Sequence, residues 1–349
     1  MIQKFSIDDF LDSANGHPVI DVRAPAEYLH GHIPGAFSLP LFSDEERAIV
    51  GTLYKQTGRE AAMLKGLEYY GVNMLRIIAD LKSLTNDKKL YVHCWRGGMR
   101  SGVVSWMLDL FGYQVAVLNK GYKSFRRTVL DSFSGSRNLL ILGGKTGSAK
   151  TDLLVELIRR QQQVIDLEGL AAHKGSAFGA LGQPAAPTQE QFENELFMHF
   201  RNSNKLAPTW LEDESQRIGQ VNLPNALWLQ MRNAPVIYLE IPFEVRLDYL
   251  VQVYGGFSKE ALMESTLRIR KRLGGLETDK SLKYIESGDI KSAFAILLAY
   301  YDKNYLRATA QRNPASIIRI ESDTVHAVSN ANLVLQKTGS SIFNASGSH

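Results

Sequence analysis

The chain has a single cysteine in 349 residues, and its neighbours are those an anion-handling nucleophile needs. Cys94 sits in His93-Cys94-Trp95-Arg96-Gly97-Gly98-Met99-Arg100-Ser101. A lone thiol has no intramolecular disulfide partner and makes a poor start for a cysteine-rich metal site. Gly97 and Gly98 let the backbone curl, so that successive N–H groups face one bound oxyanion. Arg96 and Arg100 bring positive charge, which lowers a thiol's pKa and grips an anion through paired N–H groups. Free cysteine is more often a small buried hydrophobe, and Cys94 does follow the apolar run Leu90-Tyr91-Val92. The Gly-Gly-x-Arg continuation outweighs that reading. Cys94, Arg96 and Arg100 are the catalytic candidates, and Trp95, Gly97, Gly98, Met99 and Ser101 complete the anion loop.

A second anion-binding pattern lies downstream. Asn138-Leu139-Leu140-Ile141-Leu142 runs into Gly143-Gly144-Lys145-Thr146-Gly147-Ser148-Ala149-Lys150-Thr151, and Asp152 to Ile158 reads as a helix. Strand, glycine-rich loop and helix is the setting that makes such a motif a P-loop. Its phosphate- or diphosphate-binding candidates are Gly144, Thr146, Gly147, Ser148, Ala149, Lys150 and Thr151. Lys150 supplies a point charge and Thr151 a hydroxyl for magnesium. Ala149 stands where glycine is usual, a swap that costs little if the position opens the helix. Acids that could hold the metal follow strand-like runs: Asp166 in Val164-Ile165-Asp166-Leu167-Glu168, and Glu212, Asp213 and Glu214 after Thr209-Trp210-Leu211. Each reads equally well as a solvated strand end. Two basic groups, Lys123, Arg126 and Arg127 beside aromatics, and Arg268, Arg270, Lys271 and Arg272, suit RNA phosphates or a diphosphate. They also suit ordinary helix faces.

The elements that must position these loops follow from hydrophobic periodicity. Short apolar runs at 17–23, 89–93 and 114–118 alternate with helical patterns at 60–82 and 101–111. That alternation predicts an α/β fold, a parallel sheet with helices on both faces. Further strands are expected at 234–241 and 315–320, separated by a mainly helical stretch from about 244 to 312. The length calls for two domains, set at 1–125 and 138–335, with a linker at 126–137 and a small, polar, disordered tail at 336–349. Hydrophobic residues make up 44% and charged residues 22%, an ordinary globular balance. No apolar run reaches membrane-spanning length and no signal peptide opens the chain, so a cytoplasmic protein without a membrane partner is expected. The formal net charge of +4 permits an acidic partner such as RNA without demanding one.

Asp21-Val22-Arg23, Glu27-Tyr28 and Gly31-His32-Ile33-Pro34-Gly35-Ala36 resemble the N-terminal signature of rhodanese domains, and the Cys94 loop resembles their active site. Val117-Leu118-Asn119-Lys120-Gly121-Tyr122 is similar to their closing segment, with Lys120 where many members have glycine. The resemblance implies a thiolate that carries sulfur or selenium as a persulfide or perselenide. The spacing Cys94-x5-Arg100 also fits cysteine-dependent phosphatases, whose loops hold tetrahedral anions. With the P-loop and with Asp166–Ser176, Glu212–Ser215 and Lys271–Gly275, nearly all of residues 5–335 is similar to the tRNA 2-selenouridine synthase family. That resemblance implies a rhodanese-like domain fused to a P-loop NTPase-like domain. It implies a transferase acting on wobble 2-thiouridine of tRNA: S-geranylation from geranyl diphosphate, then selenium transfer from selenophosphate through Cys94. Magnesium would assist at the P-loop, no tightly bound organic cofactor is expected, and an enzyme supplying selenophosphate would be a partner. The other reading is a Cys-x5-Arg phosphatase or sulfurtransferase coupled to a P-loop kinase. The oligomeric state is not legible in the sequence.

Overall fold

The computed structural model describes residues 2–341. The chain divides into two compact units, Met1–Phe133 with Glu193–Met198, and Ser134–Phe192 with the chain from His199 onward.

The first unit contains β1 (Gln3–Phe5), α1 (Ile7–Ser13), β2 (Val19–Asp21), α2 (Pro25–His30), β3 (Phe37–Ser38), α3 (Asp44–Gln56), α4 (Arg59–Leu84), β4 (Lys89–His93), α5 (Met99–Leu110), β5 (Gln114–Leu118) and α6 (Gly121–Ser132). Its five strands run parallel in the order β1-β5-β4-β2-β3. The central strands β4 and β5 read as unbroken apolar runs, as strands buried on both faces must; Leu90, Tyr91, Val92, Val115, Val117 and Leu118 are all buried. Ile77 and Leu81 of α4 and Val104 and Leu108 of α5 pack into the same core. β4 is flanked by β5 and β2, so its carboxyl end delivers Cys94 to the middle of the sheet edge. Helix α6 continues to Ser132, with Phe125 and Val129 buried one turn apart. The stretch 126–137, expected as a linker, is therefore helical for more than half its length.

The second unit contains β6 (Leu139–Gly144), α7 (Lys150–Arg159), β7 (Gln163–Val164), α8 (Leu167–Leu170), α9 (Gln189–Arg201), β8 (Thr209–Glu212), β9 (Arg217–Ile218), β10 (Val221–Asn222), α10 (Asn225–Asn233), β11 (Val236–Glu240), α11 (Phe243–Tyr254), α12 (Lys259–Arg268), α13 (Arg270–Leu273), α14 (Gly275–Ser287), α15 (Ile290–Ala310), β12 (Ile317–Glu321) and α16 (Ala327–Ser341). The middle of α9, Glu193–Met198, counts with the first unit. The parallel order is β12-β11-β6-β8-β7, and β9 and β10 pair separately as a small antiparallel hairpin. Leu140, Leu142, Trp210, Ile237 and Leu239 build its core with Leu154 of α7. The helices α11 to α15 have their own cluster, including Leu247, Leu262, Ile285, Phe294 and Leu298. Of the stretch 336–349 expected as a disordered tail, 336–341 form the end of α16 and 342–349 lie outside the described residues. No helix among the described residues is long and apolar enough to cross a membrane.

Candidate active site

The Cys94 loop is held from behind by the start of α6. Tyr122 N–H donates to Cys94 O at 2.8 Å and Lys123 N–H to Trp95 O at 3.0 Å. In a planar trans peptide the following N–H points opposite to the carbonyl. Trp95 and Arg96 N–H groups therefore face away from α6, and Arg96 N–H reaches the Cys94 sulfur. The close approach needs two glycines. Gly97 has φ +62, and a Cβ there would lie 2.5 Å from Leu118 O. Gly121 has φ +60, and its Cβ would lie 2.3 Å from Cys94 O. Gly98, by contrast, faces open space.

Cys94 Sγ is 3.2 Å from Ser101 Oγ, in the first turn of α5, and only 3% of the residue is exposed. Burial alone would push the thiol up. Hydrogen bonds from the Ser101 hydroxyl and N–H, the Arg100 charge and the Arg96 N–H outweigh it and hold the thiol below its ordinary value. The sequence finds Arg100 but misses its partner. Arg100 Nη1 donates to Glu27 Oε2 at 2.6 Å and Nη2 to Glu27 Oε1 at 3.3 Å, a two-pronged grip across 73 positions. Burial favours a neutral Glu27, but Arg100, the Ala24 N–H and Arg47 win and hold it below the usual carboxylate range. The carboxyl at this loop is thus an ionised anchor and no proton donor. Arg96 and Met99 are exposed, and Trp95 packs at 5.8 Å on the Tyr122 ring. Beneath the loop, buried Asp21 takes Arg23 in a bidentate pair, and Arg23 lies 3.8 Å over the same Tyr122 ring. His93 stays neutral there: burial drives its pKa to about 4.

The second loop connects β6 to α7. Lys150 Nζ donates to Gly144 O at 3.1 Å and lies 5.5 Å from the Tyr305 ring. Burial works against its charge, but Tyr305, Glu168, Glu214 and Asp213 together raise its pKa. A second missed residue, Arg246 of α11, fixes the loop's shape. It donates to Thr146 O at 3.0 Å and Ile241 O at 3.0 Å, and pairs with Asp302 of α15 at 2.8 and 2.7 Å. A Cβ on Gly147 (φ +82) would lie 2.8 Å from Arg246 O. Ala149 is not the helical residue expected: it caps α7 in the left-handed region, φ 52 and ψ 38. A side chain there costs about 1 kcal/mol or slightly more. Ala149→Gly should accordingly stabilise the second unit by about 1 kcal/mol, read as a higher denaturant midpoint at unchanged slope.

The four acids separate by position. Asp166 caps α8, accepting from Gly169 N–H at 2.7 Å, and buried Glu212 accepts from Leu167 N–H at 2.9 Å. Asp213 is paired with buried Arg312. Glu214 acts on Lys150 beside Glu168, which lies in the same strand-end run as Asp166, and Asp213 acts on Lys150 as well. Burial and then Glu168 push Glu214 well above its ordinary range, with Lys150 pulling the other way. Glu168 Oε2 accepts from Thr151 Oγ1 at 3.1 Å. A Cβ on Gly175 (φ +66) would strike both carboxyls, at 2.7 Å and 3.0 Å. Among the described residues no group of three or more His, Cys, Asp or Glu is placed to hold a metal. Thr151 with Glu168 is an oxygen donor set of the kind magnesium uses alongside substrate phosphates.

A cavity of about 140 Å³ opens beside Thr146–Thr151. Leu250, Val253 and Tyr254 of α11 and Tyr301 and Tyr305 of α15 line it together with Glu168 and Lys174. The basic candidates are exposed or ion-paired, and the Arg272 charge acts on Tyr301 of the cavity lining. Arg126 donates to Glu193 and to Asn194, each at 2.6 Å, within the first unit. Lys123 and Arg127 are exposed, the latter 3.6 Å from Asp131. Arg268, Arg270, Lys271 and Arg272 are all exposed, with Arg268 on Glu264 and Arg270 on Asp279.

Two family models match: a rhodanese-like domain over residues 6–128, and a tRNA 2-selenouridine synthase AAA domain over 137–335. The tRNA 2-selenouridine synthase of Shewanella loihica is 35% identical, covering 90% of this chain and 92% of that protein. Its counterpart from Nitrosomonas europaea is 39% identical over 68% of this chain and 63% of its own. That of Shewanella sp. (strain MR-7) is 38% identical, over 74% and 76%.

Proposed function

Because the chain belongs to the tRNA 2-selenouridine synthase family, we propose that it replaces the sulfur of wobble 2-thiouridine in tRNA with selenium, in two steps at its two loops. The P-loop takes geranyl diphosphate and the uridine sulfur is alkylated; the Cys94 loop takes selenophosphate and the alkylthiol is displaced by selenium. The observation that carries this reading is the pairing, in one chain, of a thiolate loop sized for a tetrahedral anion with a P-loop whose cavity combines charged groups with Leu250, Val253 and Tyr254.

For alkylation, the diphosphate rests on the N–H groups of 146–151 and Lys150, and the hydrocarbon chain lies along Leu250, Val253 and Tyr254. Departure of diphosphate from an allylic carbon needs its growing charge neutralised, and Lys150 stands buried where that charge appears. Thr151 and Glu168 would hold a magnesium ion, which adds Lewis-acid neutralisation when bound. Arg246 and Asp302 keep the loop in its anion-binding shape. At the other loop, Arg100, aimed by Glu27, and the inward N–H groups hold the tetrahedral anion against Cys94. The reading places the protein in the cytoplasm with tRNA and an enzyme that supplies selenophosphate. A phosphatase reading is weaker, because Glu27 cannot protonate a phosphoester leaving group.

The test is mass spectrometry of wobble nucleosides from thiolated tRNA incubated with the protein. With geranyl diphosphate alone, S-geranyl-2-thiouridine should appear; adding selenophosphate should convert it to 2-selenouridine. Absence of both products, alongside phosphate release from an aryl phosphate, would overturn the reading.

A further inference from the structure

The chemistry at Cys94 can be taken one step further, resting on the selenophosphate reading above. We propose that Cys94 attacks the phosphorus of selenophosphate and not its selenium, forming a phosphocysteine and expelling hydroselenide as the species that reaches the uridine.

Electron balance sets the alternatives apart. Attack at phosphorus forms the Sγ–P bond as the P–Se bond breaks, and the electron pair leaves on selenium. Hydroselenide then forms a bond to C2 of the S-alkylated uridine, the C2–S bond breaks, and the alkylthiolate leaves with that pair and takes the selenium proton. Water cleaves Sγ–P, giving inorganic phosphate and the Cys94 thiolate. Selenium enters and leaves at one oxidation level, so no oxidant or reductant is needed. Attack at selenium would instead leave the electron pair on phosphorus, as phosphite, and raise selenium to a perselenide. Freeing selenium from that perselenide requires a second thiol, and Cys94 is the chain's only cysteine.

The loop is built for the first route. Five residues separate Cys94 from Arg100, which leaves room for a tetrahedral phosphoryl group, and the Trp95 and Arg96 N–H groups point away from α6, that of Arg96 onto the Cys94 sulfur. Ser101 Oγ, 3.2 Å from Sγ, can stabilise the departing thiolate when the S–P bond is hydrolysed. The ion-paired Glu27 offers no proton, and none is needed, since hydroselenide is a weak base that departs as an anion.

Monothiophosphate is a probe that separates the routes. The full-length protein is incubated with it without tRNA, acid-quenched, and the Cys94 peptide weighed. A phosphoryl increment is expected, with sulfide released; an increment of one sulfur atom, a persulfide, would sink the proposal. With selenophosphate, tRNA and labelled water, phosphorus should emerge as phosphate carrying one solvent oxygen, and phosphite would be the contrary result. Ser101→Ala should slow hydrolysis and raise the trapped phosphocysteine about tenfold. Unchanged adduct levels in that variant, or unchanged phosphate production by Cys94→Ser, would also count against it. If selenouridine still forms while phosphite appears, this step is wrong and the proposed function stands. If no selenouridine forms with the wild-type protein, the function itself fails.

Discussion

Cys94→Ala should stop selenium incorporation while S-geranyl-2-thiouridine accumulates on the tRNA. On the proposed chemistry the thiolate opens the selenium donor, and no other thiol in the chain can take over. Removing a covalent nucleophile typically costs about three orders of magnitude or more in turnover. The fold should survive, because alanine fills most of a site that Val92 and Val104 already pack. The alkylation step should continue at its usual rate, since none of the residues proposed for it lies in the Cys94 loop. Nucleosides from a time course, separated and weighed, give both readings at once; steady selenouridine formation by the variant would remove Cys94 from the mechanism. In the intact protein, alkylation of Cys94 by iodoacetamide should rise with pH along the thiolate fraction. Because the thiol is held below its ordinary value, the half-point should fall at lower pH than for a free cysteine.

Lys150→Ala should have the opposite product pattern. Two losses coincide at that position. On the proposed reading the diphosphate loses the buried charge that would meet it, and Glu168 and Glu214 lose the cation beside them. Geranylation should fall by about two to three orders of magnitude, as when an oxyanion donor is removed. Supplying tRNA that already carries S-geranyl-2-thiouridine should bypass the defect, with selenouridine then forming at the wild-type rate. If the variant fails on both substrates, the two steps are not divided between the loops as proposed. Thermal unfolding of the same preparation checks the fold, where relief of a charge in a desolvated site partly offsets the loss.

Much of this site can be read from the chain because its chemistry is local. A strand that runs into Cys94, a loop, and a helix opening at Met99 occupy consecutive residues, and so do β6, Lys145–Ala149 and α7. Periodicity therefore finds both loops and their setting. What it misses joins distant segments. Glu27 is 73 positions from Arg100, and Arg246 is 100 from Thr146, and neither spacing carries a pattern. The acids after β8 show a second limit. Strand alternation ends at Glu212, so the chain beyond it can turn Asp213 to Arg312 and Glu214 to Lys150, and sequence alone cannot choose. Ala149 shows a third. Its residue type suits a helix, yet the loop needs a left-handed cap there, a demand set by the backbone path and not by propensity. The stretch 126–132, set in the linker, continues α6 because Phe125 and Val129, one helical turn apart, share its buried face.

The discontinuity of the first unit has a bearing on how the protein is made. Every strand of the first sheet has been synthesised by Leu118, and its last helix by Ser132. Asn194, which donates to Tyr122 Oη at 2.7 Å and to His32 O at 2.9 Å, comes some sixty residues later with the rest of Glu193–Met198. At about 5–20 residues per second on the ribosome, that is a wait of several seconds. During that interval Arg126 lacks its acidic partner Glu193, and Phe125 lacks the ring of Phe197. The nascent N-terminal half must persist with that seam open while β6, the P-loop and α7 are being added, so its completion is timed by translation of the other unit.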